Sequence, residues 1–224
     1  MTAIMRTDIT VVLDRSGSMQ STRDDAMQGF NALVEDQKSI PGEACLSLVQ
    51  FDDQYQIDYT EQPMAGVPAL TRDSYHPRGS TALLDAIGRT IDATAHRVAA
   101  RPEAERPGKV ILVVITDGHE NASAKFTAAE ISAKIAHYRD AYAWEFIFIG
   151  SNQDAIMSAA ALNIRADRAL TYSADRVGTS VAYSVLSSSV SAMRAGKSGS
   201  FTAEQRAKAM GTKPVPEDSE KKPN

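Results

Sequence analysis

The 224-residue chain is long enough for one domain with its own core, or one domain with a tail. Its formal net charge of −4 comes with no basic block, which excludes the electrostatic footprint of a nucleic-acid or anionic-membrane binder. Cys45 is the only cysteine and excludes an internal disulfide, no apolar run reaches membrane-spanning length, and Met1–Asp8 has no signal-peptide core, so a cytoplasmic location is expected.

Residues 8–13 are a short, β-branched, apolar run that reads as a buried strand. It leads straight into Asp14-Arg15-Ser16-Gly17-Ser18-Met19. Residues 21–38 read as a helix, with Met27, Phe30, Leu33, Val34 and Gln37 at helical spacing and Pro41-Gly42 as its stop. Ala44–Phe51 is a second strand, and the alternating stretch Tyr55–Tyr59 pairs with it through the Asp52-Asp53-Gln54 turn. Residues 60–80 carry Pro63, Gly66, Pro68, Pro77 and Gly79 and read as a long surface loop. This loop ends in Gly79-Ser80-Thr81, just before a helix striped by Leu84, Ile87, Ile91, Ala95 and Val98. After a polar connection over 101–108, Val110–Ile115 is the most apolar run in the chain and reads as a central strand. It ends in Thr116-Asp117-Gly118. A helix over 127–142, a strand over 144–150, a short helix over 154–162, an edge strand over 169–172 and a helix over 174–194 follow. From Gly196 the composition turns to Gly, Ser, Lys, Glu and Pro. The reading is therefore one domain over 5–195 and an extension over 196–224, disordered from about 211.

Alternating strands and helices predict an α/β fold, with a mostly parallel sheet and helices on both faces. Ligands of such folds bind beyond the carboxyl ends of the strands, where strand order reverses. Asp14 and Asp117 both fall at such ends, and Thr81 opens a helix that can start on the same face. Positions 14, 16 and 18 alternate, so one carboxylate and two hydroxyls can point the same way, with Gly17 easing the bend. Convergent hard oxygens suit a small cation such as Mg²⁺. By itself the hexapeptide reads equally as a solvated turn with a serine as helix N-cap.

The ordered set Asp14-x-Ser16-x-Ser18, Thr81 and Asp117 resembles the metal-ion-dependent adhesion site of the von Willebrand factor A domain. The resemblance covers roughly residues 5–195, and every liganding position of that motif is matched. It implies a doubly wound, six-stranded, mostly parallel sheet with one antiparallel edge strand, for which the Ala44–Tyr59 hairpin is the natural place. It implies Mg²⁺, with Mn²⁺ as a substitute, held by Asp14, Ser16, Ser18, Thr81 and Asp117. It also implies a stand-alone bacterial or phage protein, not an enzyme, that works beside an ATPase or a stress-response assembly. The charges point the same way. Two aspartates balance a divalent cation, and three hydroxyls add coordination without charge, so the ion retains affinity for one more anionic oxygen. The expected function is Mg²⁺-dependent binding of a protein partner through an Asp or Glu that completes the metal's coordination. The loop over 71–79, with Arg72, Tyr75, His76 and Arg78, and the segment His119-Glu120-Asn121 are the candidate rim.

Two other readings of the same residues stay open. A haloacid-dehalogenase-type phosphatase would use Asp14 for phosphate-ester hydrolysis, but it needs a second Asp where Ser16 stands. A scaffold would keep the ion for loop stability alone. Ser16 and Ser18 do not fit a Gly-x-Ser-x-Gly nucleophile, Gly196-Lys197-Ser198 lacks the earlier glycine of a phosphate loop, and the histidines have no zinc-like spacing.

Overall fold

The computed structural model describes residues 6–151 and 155–212. A six-stranded sheet of order β3-β2-β1-β4-β5-β6 forms the middle layer. Its strands are β1 (Thr7–Asp14), β2 (Ala44–Phe51), β3 (Tyr55–Pro63), β4 (Lys109–Thr116), β5 (Glu145–Gly150) and β6 (Ala169–Thr171). All neighbours pair in parallel except β2 and β3, so the antiparallel edge strand lies in the expected hairpin. The helices are α1 (Arg23–Ser39), α2 (Leu83–Ala99), α3 (Ala128–Tyr142), α4 (Ala155–Ala161), α5 (Arg176–Arg194) and α6 (Ala203–Ala209). Asp154, expected in the short helix, lies outside the described residues.

Side-chain alternation in the strands splits the core into two layers. Ile9, Val11 and Leu13 of β1 and Ile111, Val113 and Ile115 of β4 face α1, α5 and α6. Val12, Leu112, Val114, Phe146 and Phe148 face α2, α3 and α4. Both faces are covered, which is why every β1 residue is buried and β4 is apolar at each position from Val110 to Ile115 rather than alternating.

Three helix starts follow from local chemistry. Thr127 and Glu130 form a capping box on α3, Thr202 and Gln205 one on α6, and Asp175 accepts from the Gly178 N–H on α5. The fourth start differs. Ala82 before α2 offers no side-chain cap, and the first α2 amides are met from a loop distant in sequence.

Two stretches differ from the sequence reading. β3 runs on to Pro63, and the loop after it is anchored in the core: Met64, Val67, Leu70 and Tyr75 are buried. Part of the expected extension is also packed. Phe201 and Ala209 are core residues, the Phe201 N–H donates to the Asp167 carbonyl at 2.9 Å, and the Ser173 N–H to that of Ala209 at 3.0 Å. Two apolar residues and Arg206, which donates to the Ala166 and Ala169 carbonyls, dock a short α6, too sparse an apolar signal to stand out among Ser, Lys and Glu. Gly211 and Thr212 continue its C-terminal turn, and the rest of the stretch expected to be disordered lies outside the described residues.

Candidate metal centre

The order of strands reverses between β1 and β4, and both end at the same level: Leu13 pairs with Ile115 in register. Asp14 and Thr116 therefore emerge side by side. The Asp14 carboxylate is buried; its Oδ1 accepts the Ser16 N–H at 2.6 Å and its Oδ2 the Thr116 hydroxyl at 2.6 Å. Ser16 is extended and the chain then tightens into a 3₁₀ turn over Gly17–Thr22. This brings Ser16 Oγ and Ser18 Oγ to 3.0 Å, and Ser18 Oγ donates to Asp117 Oδ1 at 2.5 Å.

Thr81 arrives from the turn before α2 and is buried. Its N–H donates to Asn121 Oδ1 at 2.8 Å, and the Asn121 N–H returns to the Thr81 carbonyl at 3.0 Å. Gly118 shows how tightly the hydroxyls gather. A Cβ placed on it would lie 2.8 Å from Thr81 Oγ1, 3.3 Å from Ser18 Oγ and 3.5 Å from Ser16 Oγ. The three oxygens thus surround one small space that only a glycine leaves open.

Behind this cradle stands a residue the sequence reading placed in a plain turn. Asp52, one residue past β2, is buried; its Oδ2 accepts Arg15 Nε at 3.1 Å and Arg78 Nε at 2.8 Å, and its Oδ1 the Gln54 N–H at 2.6 Å. Its carbonyl accepts the Ala82 N–H at 2.9 Å. The Gly17 N–H donates to the Gly79 carbonyl at 3.1 Å and the Arg78 N–H to that of Arg15 at 2.7 Å. Loops from β1, β2 and the approach to α2 are thereby tied together. Gly79 has φ +65°, and a Cβ there would meet Asp53 Oδ1 at 2.7 Å.

The candidate rim is largely structural. Arg78 pairs with Asp52 and Arg72 with Asp24. Tyr75 is buried beneath the site, and its hydroxyl donates to the Asp14 carbonyl at 2.6 Å. His76 bonds the Asp73 carbonyl at 2.9 Å. Glu120 caps α2 from outside: its Oε2 accepts the Leu84 N–H at 2.9 Å and its Oε1 the Ala122 and Ser123 amides. Asp85 answers by accepting the amides of Ala124, Lys125 and Phe126. His119 remains exposed beside Asp117.

The sequence matches the family described as von Willebrand factor type A domain over residues 8–175. The chain belongs to this family. No curated protein matches it. Among solved structures the VWA fold recurs at low identity. A von Willebrand factor type A protein from Catenulispora acidiphila is 14% identical with TM-score 0.56, over 84% of this chain and 43% of that one. Proximal thread matrix protein 1 from the mussel byssus is 16% identical with TM-score 0.59, over 82% and 48%. The ArnB paralog VWA2 from Sulfolobus acidocaldarius is 18% identical with TM-score 0.51, over 81% and 44%. The chain thus spans less than half the length of these relatives, and at such identities the likeness is one of fold.

The electrostatics of the VWA site fit a cation. Burial, with a smaller push from the Asp117 charge, raises the Asp14 carboxyl to about 6 against the pull of the Thr116 and Ser16 hydrogen bonds. Burial likewise raises Asp117, opposed by the Ser18 hydroxyl. No Lys or Arg among the described residues pairs with Asp14. Two carboxylates raised by burial, beside three converging hydroxyls, form an oxygen-only donor set of the kind hard divalent ions take. Asp52 is the opposite case. Burial pushes it up, but the hydrogen bonds from Arg78 and the Gln54 N–H and the Arg15 charge outweigh that and leave it below the usual carboxylate range.

A second group of metal-ligating types lies at the other end of the sheet. Asp8, Cys45 and Glu61 offer ligand atoms within 4.8 Å of one another. Arg6 Nη2 is 3.2 Å from Cys45 Sγ, Arg97 Nη2 2.9 Å from Asp8 Oδ2, and Arg101 Nη2 2.6 Å from Glu61 Oε1. Burial also pushes the Cys45 thiol up, toward S–H. Guanidinium groups already supply the positive charge here, so this is an ion-pair network and a poor host for a divalent cation.

Proposed function

We propose that this VWA domain is a Mg²⁺-dependent protein-binding module and not an enzyme. Ser16, Ser18 and Thr81 would hold the ion by their hydroxyls, and Asp14 and Asp117 would balance its charge. The observation that carries the reading is the hydroxyl cradle facing Gly118, beside two carboxylates at the strand-order reversal. Bound Mg²⁺ would supply a Lewis-acidic centre for an anionic oxygen. The chain's own part is to keep that centre near neutral: two carboxylates offset it, where four would repel a ligand carboxylate. Ser18 is exposed while Asp14, Ser16 and Thr81 are buried, so a partner approaches from the Ser18 side. The ligand is an Asp or Glu of another protein. Exchange of a bound water for a carboxylate gains Coulomb energy but strips hydration from both groups, so the net gain is modest and selectivity comes from the surroundings.

In this reading the protein is of the stand-alone bacterial or phage kind and works in the cytoplasm, and an ATPase or stress-response assembly is the partner class that the family resemblance suggests. No helix among the described residues is long and apolar enough to cross a membrane. Affinity capture with Mg²⁺ and with chelator tests the function, followed by single replacement of the captured partner's interface acids. One decisive acidic residue and release by chelator are expected. Capture that persists in chelator, with no single acid mattering, would instead favour a scaffold with a structural ion.

A further inference from the structure

A cavity of about 190 Å³ opens beside the hydroxyl cradle, at the carboxyl ends of β4 and β5. Leu83, Leu84, Phe148, Ala155 and Leu162 make its walls mostly apolar. It exists because the α2–α3–α4 core layer ends there in small residues. Gly118, Gly150 and Ser158 line it with little side-chain bulk, and Gly150 lets Ala155 pack close, since a Cβ there would sit 2.7 Å from Ala155 Cβ.

The cavity is continuous with the metal centre. Thr116 lines it and also donates to Asp14 at 2.6 Å; Gly118 lines it and also faces the three hydroxyls. Its size is selective. A cavity of about 150 Å³ takes a benzene ring, whereas pockets for drug-sized ligands run from roughly 300 Å³ upward. One Leu, Met or Phe side chain fits, and a cofactor does not.

We infer that the partner segment is bipartite, with an Asp or Glu for the cation and a Leu, Met or Phe within one or two residues of it for this cavity. The spacing follows because cradle and cavity share Thr116 and Gly118, and an extended segment advances about 3.3 Å per residue. The inference rests on the metal reading above.

The test is selection of a random heptapeptide phage library on the full chain with Mg²⁺, eluted by chelator and repeated on Ser158→Phe and Ala161→Leu. Both positions line the cavity and lie outside the metal loops. The expected result is enrichment of an acid with a large apolar residue one or two places away, and loss of the apolar preference in either folded variant. In a selected peptide, Gly in place of the apolar residue should weaken binding about tenfold, or about 1.4 kcal/mol. An acidic consensus with no apolar preference overturns the cavity while leaving the metal reading standing. So does an apolar preference that survives both substitutions in folded variants that bind Mn²⁺ as wild type does. Enrichment indifferent to chelator overturns both.

Discussion

Thr116 shows how a residue outside the motif governs those inside it. Its hydroxyl donates to the buried Asp14 carboxylate, which Ser16 also holds. Thr116→Val keeps the shape and removes the donor. It should weaken Mn²⁺ binding about 10- to 100-fold, as loss of a supporting partner does, and isothermal titration against wild type would read it. Asp52 carries the other support. Asp52→Ala strands Arg15, itself 5% exposed, and should destabilise the fold by about 3–5 kcal/mol in urea unfolding. The pH dependence has a definite sign. The folded-state carboxyl of Asp52 lies below its ordinary value of 3.8, so its stabilisation is present above that pH and is lost as pH falls through the folded value. The stability gap between wild type and Asp52→Asn should therefore hold from pH 7 to about pH 5 and narrow below about pH 4. A constant gap would contradict the role given to the Arg15–Asp52–Arg78 group.

At the scale of elements, the helix faces were legible where one residue type decided them and illegible where a tertiary contact did. The run Val110–Ile115 announced a central strand because burial on both faces demands apolar residues at every position. The five motif oxygens were legible because they sit in contiguous stretches at strand and helix ends. Tyr75 and Asp52 were not, since each acts through a partner far off in the chain: Asp14 for the former, Arg15 and Arg78 for the latter. α6 was missed because its only buried apolar anchors are Phe201 and Ala209, and its other ties, such as Arg206 to the Ala166 and Ala169 carbonyls, join residues far apart in the chain. Phe201→Ala should cost about 3 kcal/mol, since a buried Phe leaves a cavity. The contact of α1 with α5 makes a sharper case. A Cβ on Gly29 would lie 2.3 Å from the Tyr183 ring, which is buried. Ala is the better helix former by about 1 kcal/mol, yet overpacking costs about 1–3 kcal/mol. Gly29→Ala should therefore lower the midpoint of thermal unfolding, and a rise would mean that the two helices part easily.

At the scale of the whole molecule, the sheet separates two kinds of polar cluster. The amino end is closed by arginines on Asp8 and Glu61, whereas the carboxyl end gathers Asp14 and Asp117 with three hydroxyls around an open space. Guanidinium groups meet the carboxylates at one end, and hydroxyls meet Asp14 and Asp117 at the other, where the proposed cation would sit. An ion that binds only the folded state stabilises it, by about 2.7 kcal/mol when present at a hundred times its dissociation constant. The direct measurement is isothermal titration of Mg²⁺ and Mn²⁺ into the wild-type chain and into Asp117→Ala, with circular dichroism to show that the variant is folded. One ion per chain is predicted for wild type, with affinity reduced more than about 100-fold in the variant. No binding to the wild-type chain, or wild-type affinity in folded Asp117→Ala, would contradict the assignment of this site as a metal centre.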